Sequence, residues 1–292
     1  CLPSRTPELR DPAPMILLQL RNELWKLFGK KRTYLGFVMF LLAQAVILLV
    51  FRFSPASRQM GRLLENNGYD MTQFLSPLTA ATFTNFWLAV ILLPLFGALV
   101  GGDLVAKEAE DGTLRLILAR PISRVRLLAL KWVAGAIFSM LLCLALGVTG
   151  LLFGQTCFPW GGLFYFFPGE AFAVFEPREG LIRFAGAHVF MSIAATSVMG
   201  LSFLFGCFNV KPAAATILAL SLVFLSFIMM NIPWFNDLKP WFLTYHLNLW
   251  QQLYGEPIQW GRIGESLFIL IGINATFFAG GVAVFSVRDI KS

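Results

Sequence analysis

Residues 102–131 read GDLVAKEAEDGTLRLILARPISRVRLLALK, a long charged segment with membrane-length apolar runs on both sides. Eight charges fall within it from Asp103 to Arg124: Asp103, Lys107, Glu108, Glu110, Asp111, Arg115, Arg120 and Arg124. One charge at a bilayer centre costs about 2.5–3.5 kcal/mol on insertion scales. Eight would cost roughly 20–28 kcal/mol before snorkelling relieves any of it. The segment therefore lies outside the hydrocarbon, as an ordered loop on one membrane face. The apolar runs on either side of it read as spans.

Composition agrees. Of 292 residues, 57% are hydrophobic and 13% charged, against about 25% charged in a soluble domain. The mean hydropathy is +0.71. The apolar runs are long and continuous instead of short and alternating, which excludes a β-barrel and defines an all-α polytopic membrane protein. The net charge of +7 is not a nucleic-acid signal, because Lys and Arg in such a chain mark the cytoplasmic side. Cys143 and Cys207 fall inside apolar runs, there is no CxxC pair, and the histidines are His188 and His246 alone. That pattern predicts neither a disulfide framework nor a metal site.

Residues 1–14 carry four prolines and no apolar periodicity, and read as a disordered tail. Residues 15–292 read as a single membrane domain. From 15 to 29 the pattern is amphipathic, with Leu17, Leu20, Leu24, Leu27 and Phe28 on one helical face and Gln19, Asn22, Glu23 and Lys26 on the other. With Lys30, Lys31 and Arg32 following, this predicts an interfacial helix along the cytoplasmic surface. Six spans follow, near 34–51, 84–102, 126–153, 184–209, 213–232 and 264–287, each close to or above the ~20 residues that cross the hydrocarbon. With both termini in the cytoplasm, fourteen basic residues from Arg21 onward lie inside and seven outside. This bias predicts that orientation in the cytoplasmic membrane. Outside, residues 233–262 are rich in Trp, Tyr and Phe, suited to the headgroup level.

Within the charged segment, 103–110 extends the second span as helix. Asp111-Gly112 then ends it, glycine being the usual residue just past a helix. Thr113 is an expected N-cap for a short helix, 114–119, with Leu114, Ile117 and Leu118 on one face. Arg120 precedes Pro121, so that helix stops there. Ser123 can cap the helix that becomes the third span. The result is a rigid handle continuous with two spans.

The run Glu108-x-Glu110-x-Gly112-Thr113-Leu114, then Ala119-Arg120-Pro121-Ile122-Ser123-Arg124 and Lys131, resembles the coupling segment of ABC type-2 transporter permeases, the type V exporters. The six spans and the basic ending at Arg288 fit that resemblance, although only the central motif is specific to it. The resemblance implies an exporter subunit whose 103–124 segment docks on a separate cytoplasmic ABC ATPase. The chain has no GxxxxGK[ST] sequence to cradle phosphate. No cofactor is therefore expected on this chain, and ATP and Mg belong to the partner ATPase. A second permease copy or a paralogue completes a dimer in the lipid bilayer. By role, Glu108, Glu110, Arg115, Arg120 and Arg124 are expected polar docking contacts. Gly112 and Pro121 set the bend, Thr113 and Ser123 cap, and Leu114 and Leu118 make apolar contacts. The family's second and fifth spans line the path, which makes Asn85, Phe96, Thr216, Phe224 and Met229 the path candidates.

Two alternatives stand beside this reading. Glu108-Ala109 superficially matches the loop of ABC importer permeases, but Gly112 comes too early and Arg120 precedes the proline. An intramembrane enzyme would need paired acids, a Ser–His dyad or a His–Glu motif within the spans, and His188 has no acidic partner there in the sequence.

Overall fold

The computed structural model describes residues 12–119, 122–167 and 171–288. In chain order its elements are α1 (Pro12–Phe28), α2 (Lys31–Phe53), α3 (Pro55–Asn66), α4 (Met71–Phe74), α5 (Pro77–Glu110), α6 (Thr113–Leu118), α7 (Arg124–Cys157), β1 (Leu163–Phe167), β2 (Ala171–Phe175), α8 (Pro177–Cys207), α9 (Pro212–Asn231), α10 (Leu243–Leu247) and α11 (Trp260–Val287). Six helices, in α2, α5, α7, α8, α9 and α11, are long and apolar enough to cross a membrane. Residues 1–11 of the expected tail lie outside the described residues, and α1 begins at Pro12, ahead of the expected residue 15.

Several helices overrun their apolar windows because the flanking residues cap them. The Ser76 side chain accepts from the amides of Leu78 and Thr79, so α5 starts at Pro77, seven residues before the apolar run. α5 and α7 each have 34 residues. At 1.5 Å per residue each is about 51 Å long, against a hydrocarbon of roughly 30 Å. Both therefore stand well clear of it. α5 continues through Pro94 as one helix.

The centre of the bundle is the α5–α8 pair, flanked by α7, with α9 against α5 and α11 against α8. Small residues allow the close approach. A Cβ on Gly101 would meet the Met199 carbonyl oxygen of α8 well inside contact distance, and Ser202 donates across to the Ala98 carbonyl at 2.6 Å. α8 and α5 bury more than half of their apolar windows, whereas α9 and α11 bury less than a fifth. The outer two keep faces free for lipid or another chain. Four helices are also joined by a buried polar chain. Thr149 Oγ1 donates to Gln44 Oε1 at 2.7 Å, and Gln44 Nε2 donates to Asn85 Oδ1 at 3.0 Å and to the Leu146 carbonyl at 2.9 Å. His188 Nδ1 faces the Phe184 carbonyl at 2.7 Å and must donate to it, so Nε2 accepts from Asn85 Nδ2 at 2.9 Å.

We call the end of the bundle with α1 and α6 the basic end and the opposite one the aromatic end. At the aromatic end, β1 and β2 form an antiparallel hairpin with Leu163 opposite Phe175 and Tyr165 opposite Ala173. It is anchored by Ser76 donating to the Gly162 carbonyl at 2.6 Å and by the Phe164 amide donating to Thr79 at 2.8 Å. The aromatic stretch from Pro233 to Tyr254 forms two 3-10 turns around α10. Its rings divide: Trp234 and Trp241 are exposed, as belt residues would be, while Trp250 and Tyr254 are buried in the core.

Candidate functional site

The charged segment folds as a helix end, a one-residue reversal and a short helix. α5 ends at Glu110 with Asp111 as its C-cap, and Gly112 takes φ +71°, the left-handed region that favours glycine. Gly112 itself is the N-cap of α6, and Thr113 is already helical, its hydroxyl donating back to the Glu108 carbonyl at 3.3 Å. This corrects the expectation that Thr113 caps: the positive φ turns the chain one residue earlier. Ser123 caps α7 as expected, accepting from the Arg126 amide at 3.3 Å.

α6 does not present the expected apolar stripe. Leu114 is 1% exposed and part of the core, and Ile117 packs against it. That burial removes Leu114 from any role as an outside contact. The projecting residues are Arg115 and Leu116, and Leu116 is 72% exposed. The Leu118 side chain, Arg120 and Pro121 lie outside the described residues.

The acidic pair divides as well. Glu110 is half-exposed and pairs with Lys107 of its own helix at 2.8 Å. Glu108 turns inward instead, so it is not a free docking contact. Its Oε1 lies 2.7 Å from Lys131 Nζ of α7 and 3.1 Å from Lys26 Nζ of α1. Glu23 of α1 completes the group, with Oε2 2.9 Å from Lys131 and Oε1 2.6 Å from Lys26. Lys131 is 1% exposed. Two carboxylates and two ammonium groups thus form a closed four-membered cluster that joins α1, α5 and α7. Nearby, Lys30 lies 3.6 Å from Asp103. Burial pushes the Glu23 carboxyl up, but the Lys131 charge and the bonds from Lys26 and Lys131 outweigh it and hold it below the ordinary carboxylate value. Burial pushes the Lys26 ammonium down, but its bonds to Glu23 and Glu108 hold it above its ordinary value. A cavity of about 740 Å³ opens beside the cluster, bordered by Gln19, Lys107, Asp111 and Leu116.

Two arginines close helix ends at the same face. Arg124 donates to the carbonyls of Phe285, Ser286 and Arg288 at 2.9–3.3 Å, at the C-terminus of α11. Arg288 donates to Cys207 and Phe208 carbonyls and to Asn209 at 2.7–3.4 Å, at the end of α8. Each cation meets the negative end of a helix. Arg124 is therefore engaged with its own chain.

The path candidates are not brought together. Asn85 is buried in the polar chain described above. Phe96 and Thr216 border an apolar cavity of about 550 Å³ between α2, α5 and α9, and Phe224 borders a different one of about 310 Å³. Met229 borders neither. Sequence reasoning missed Glu23 and Lys26 as partners of Glu108. The available signal was a Glu–Lys pair three apart on the polar face of α1, with Lys131 as the one lysine inside an apolar run.

Six spanning-length helices with an ordered, ion-paired turn between the second and third define a polytopic α-helical membrane protein with one specialised surface. Residues 20–290 match the model of the ABC-2 family transporter protein, and the chain belongs to that family. It is similar to the Probable ABC transporter permease protein NosY of Stutzerimonas stutzeri, 28% identical over 242 residues, which are 76% of this chain and 77% of that one. It is also similar to the Uncharacterized protein YhcI of Bacillus subtilis (strain 168), 32% identical over 97 residues, 33% of this chain and 28% of that protein's length.

Proposed function

We propose that this chain is the membrane-spanning subunit of an ATP-driven exporter, with α6 as the element that a separate cytoplasmic ATPase grips. The ATPase supplies ATP and Mg. The basic end faces the cytoplasm with both chain termini, in the cytoplasmic membrane, and a second copy or paralogue pairs with this subunit. The observation that carries the reading is the Glu23–Lys26–Glu108–Lys131 cluster directly behind α6. α6 exposes Leu116, and α5, from which it turns back, is ion-paired near its end to α1 and α7. Motion imposed on α6 is therefore passed to the interfacial helix and to two spans at once. An unbraced loop would dissipate it.

Affinity purification from the native membrane, in mild detergent, tests this reading. An ATPase subunit should co-purify in stoichiometric amount. Leu116→Asp should lower its retention about tenfold, the loss of roughly 1.4 kcal/mol of contact. The melting temperature of the permease should change little, because Leu116 is 72% exposed. A wild-type preparation without ATPase, or a Leu116→Asp preparation that keeps it in full, would overturn the proposal.

A further inference from the structure

Two neighbouring cavities of opposite character lie toward the aromatic end. The first, about 310 Å³, is a half-open groove bordered by α5, α8 and α9, with Leu93, Pro94, Ala194, Val198, Val223 and Phe224 in its wall and no charged residue. The second, about 650 Å³, is lined by Asn231, Lys239, Asn248, Gln251, Gln252 and Arg262 among others, with two cations and no carboxylate. Trp87, Val90, Phe227 and Asn248 border both, so the two adjoin.

The polar chamber carries unpaired positive charge. Neither the Lys239 ammonium nor the Arg262 guanidinium has an ion-pair or hydrogen-bond partner among the described residues, in contrast to Lys131 or Arg183. Two cations without carboxylates attract an anion, and the planar guanidinium suits phosphate or carboxylate. The apolar chamber is half the volume of the polar one and sits at the bottom of the range for ligand pockets, roughly 300–1,000 Å³. It has space for one short chain and not for the two chains of a bilayer lipid.

We propose that the two chambers together bind one head-heavy anionic amphiphile: a phosphate- or carboxylate-bearing head in the polar chamber, with a single short apolar tail between α5, α8 and α9. Its role as cargo rests on the transport reading above; the binding itself does not.

The test uses the full chain in phosphatidylcholine nanodiscs, with radiolabelled dodecyl phosphate as the probe. Dodecyl trimethylammonium and inorganic phosphate serve as competitors. Dodecyl phosphate should bind saturably. The cationic amphiphile should compete at least about tenfold less well, and so should phosphate without a tail. Lys239→Gln with Arg262→Gln should weaken dodecyl phosphate about tenfold, as expected for lost charge-assisted contacts. Both side chains reach the surface, so that variant folds. Unsaturable partitioning, equal competition by either competitor, or an unaffected double variant would overturn the proposal. If a second copy covers these chambers, the probe is excluded and no saturable binding is seen, which also overturns it. ATPase retention is read on the same preparations. A retained ATPase without a dodecyl phosphate site removes this inference alone, and a site without ATPase removes only its role as cargo.

Discussion

Lys131→Met should destabilise the basic end more than any exposed substitution there. The ammonium group is almost fully buried and lies 2.7 Å from Glu108 and 2.9 Å from Glu23. Removing it leaves two enclosed carboxylates that share only Lys26. Deleting one partner of a buried ion pair costs about 3–5 kcal/mol. Here the carboxylates retain 10% and 16% exposure and Lys26 still bridges them, so the low end, about 3 kcal/mol, is expected. At roughly 2–4 °C per kcal/mol for domains of 150–250 residues, the melting temperature should fall by about 6–12 °C. The assay is thermal unfolding of the purified chain in a neutral detergent, followed by intrinsic fluorescence and by loss of the monodisperse fraction. A double-mutant cycle with Glu108→Gln isolates the pair. Removing both charges should cost less than the sum of the two single changes, with a coupling of about 1–3 kcal/mol. The reasoning fails if Lys131→Met melts with the wild type, or if the two substitutions are additive.

The same cluster fixes a pH dependence. The Glu23 carboxyl is held below its ordinary value of 4.5, so its contribution is present above that pH and is lost as pH falls through the lowered folded value. The Lys26 ammonium is held above 10.5, so its contribution is present below that pH and is lost as pH rises through the raised value. Stability measured by the same melts should be level near neutrality, and Glu23→Gln should shrink the acid-side decline. A wild-type decline centred near pH 7 would contradict this. In the bundle interior, Gln44→Leu removes the donor to Asn85 Oδ1 and to the Leu146 carbonyl, leaving both buried. It should cost about 1–3 kcal/mol in the same melts.

Much of the fold was legible because membrane spans are written as long apolar runs whose backbone must satisfy itself as helix. Boundaries were harder, because caps decide them. Ser76 accepts two amides and starts α5 a full two turns before hydropathy rises. The β1–β2 hairpin went unread, although the aromatic runs 163–167 and 171–175 bracket Pro168 and Gly169. Five-residue runs of Phe and Leu carry no period that separates strand from loop beside a membrane. The charged segment was readable as a place outside the hydrocarbon, since eight charges between two spans cost too much to bury there. Its internal assignments were not. Leu114, Ile117 and Leu118 look like an outward stripe on a helical wheel, but the six-residue helix buries Leu114, packs Ile117 against the core and exposes Leu116. Side-chain direction depends on what lies beside the turn, and Glu108 just before it meets Lys26 of α1, 82 residues earlier in the chain.

That packing also separates two acids that look equivalent in sequence. Glu110 meets a lysine of its own helix in solvent, an arrangement worth about 0–1 kcal/mol. Glu108, two residues before it, is rotated by about 200° around α5 and faces the bundle. There it meets cations from two other helices. Adjacency in the motif therefore conceals a division of labour. Glu108 belongs to the ion-pair cluster that ties α1, α5 and α7 together, and Leu116 and Arg115 belong to the exposed surface. A contact residue tolerates replacement as long as the partner changes with it. A cluster residue does not, because its partners Lys26, Lys131 and, through them, Glu23 lie within the same chain. The cluster and the surface are separable by experiment for this reason: loss of partner with stability intact reports the surface, and loss of stability reports the cluster.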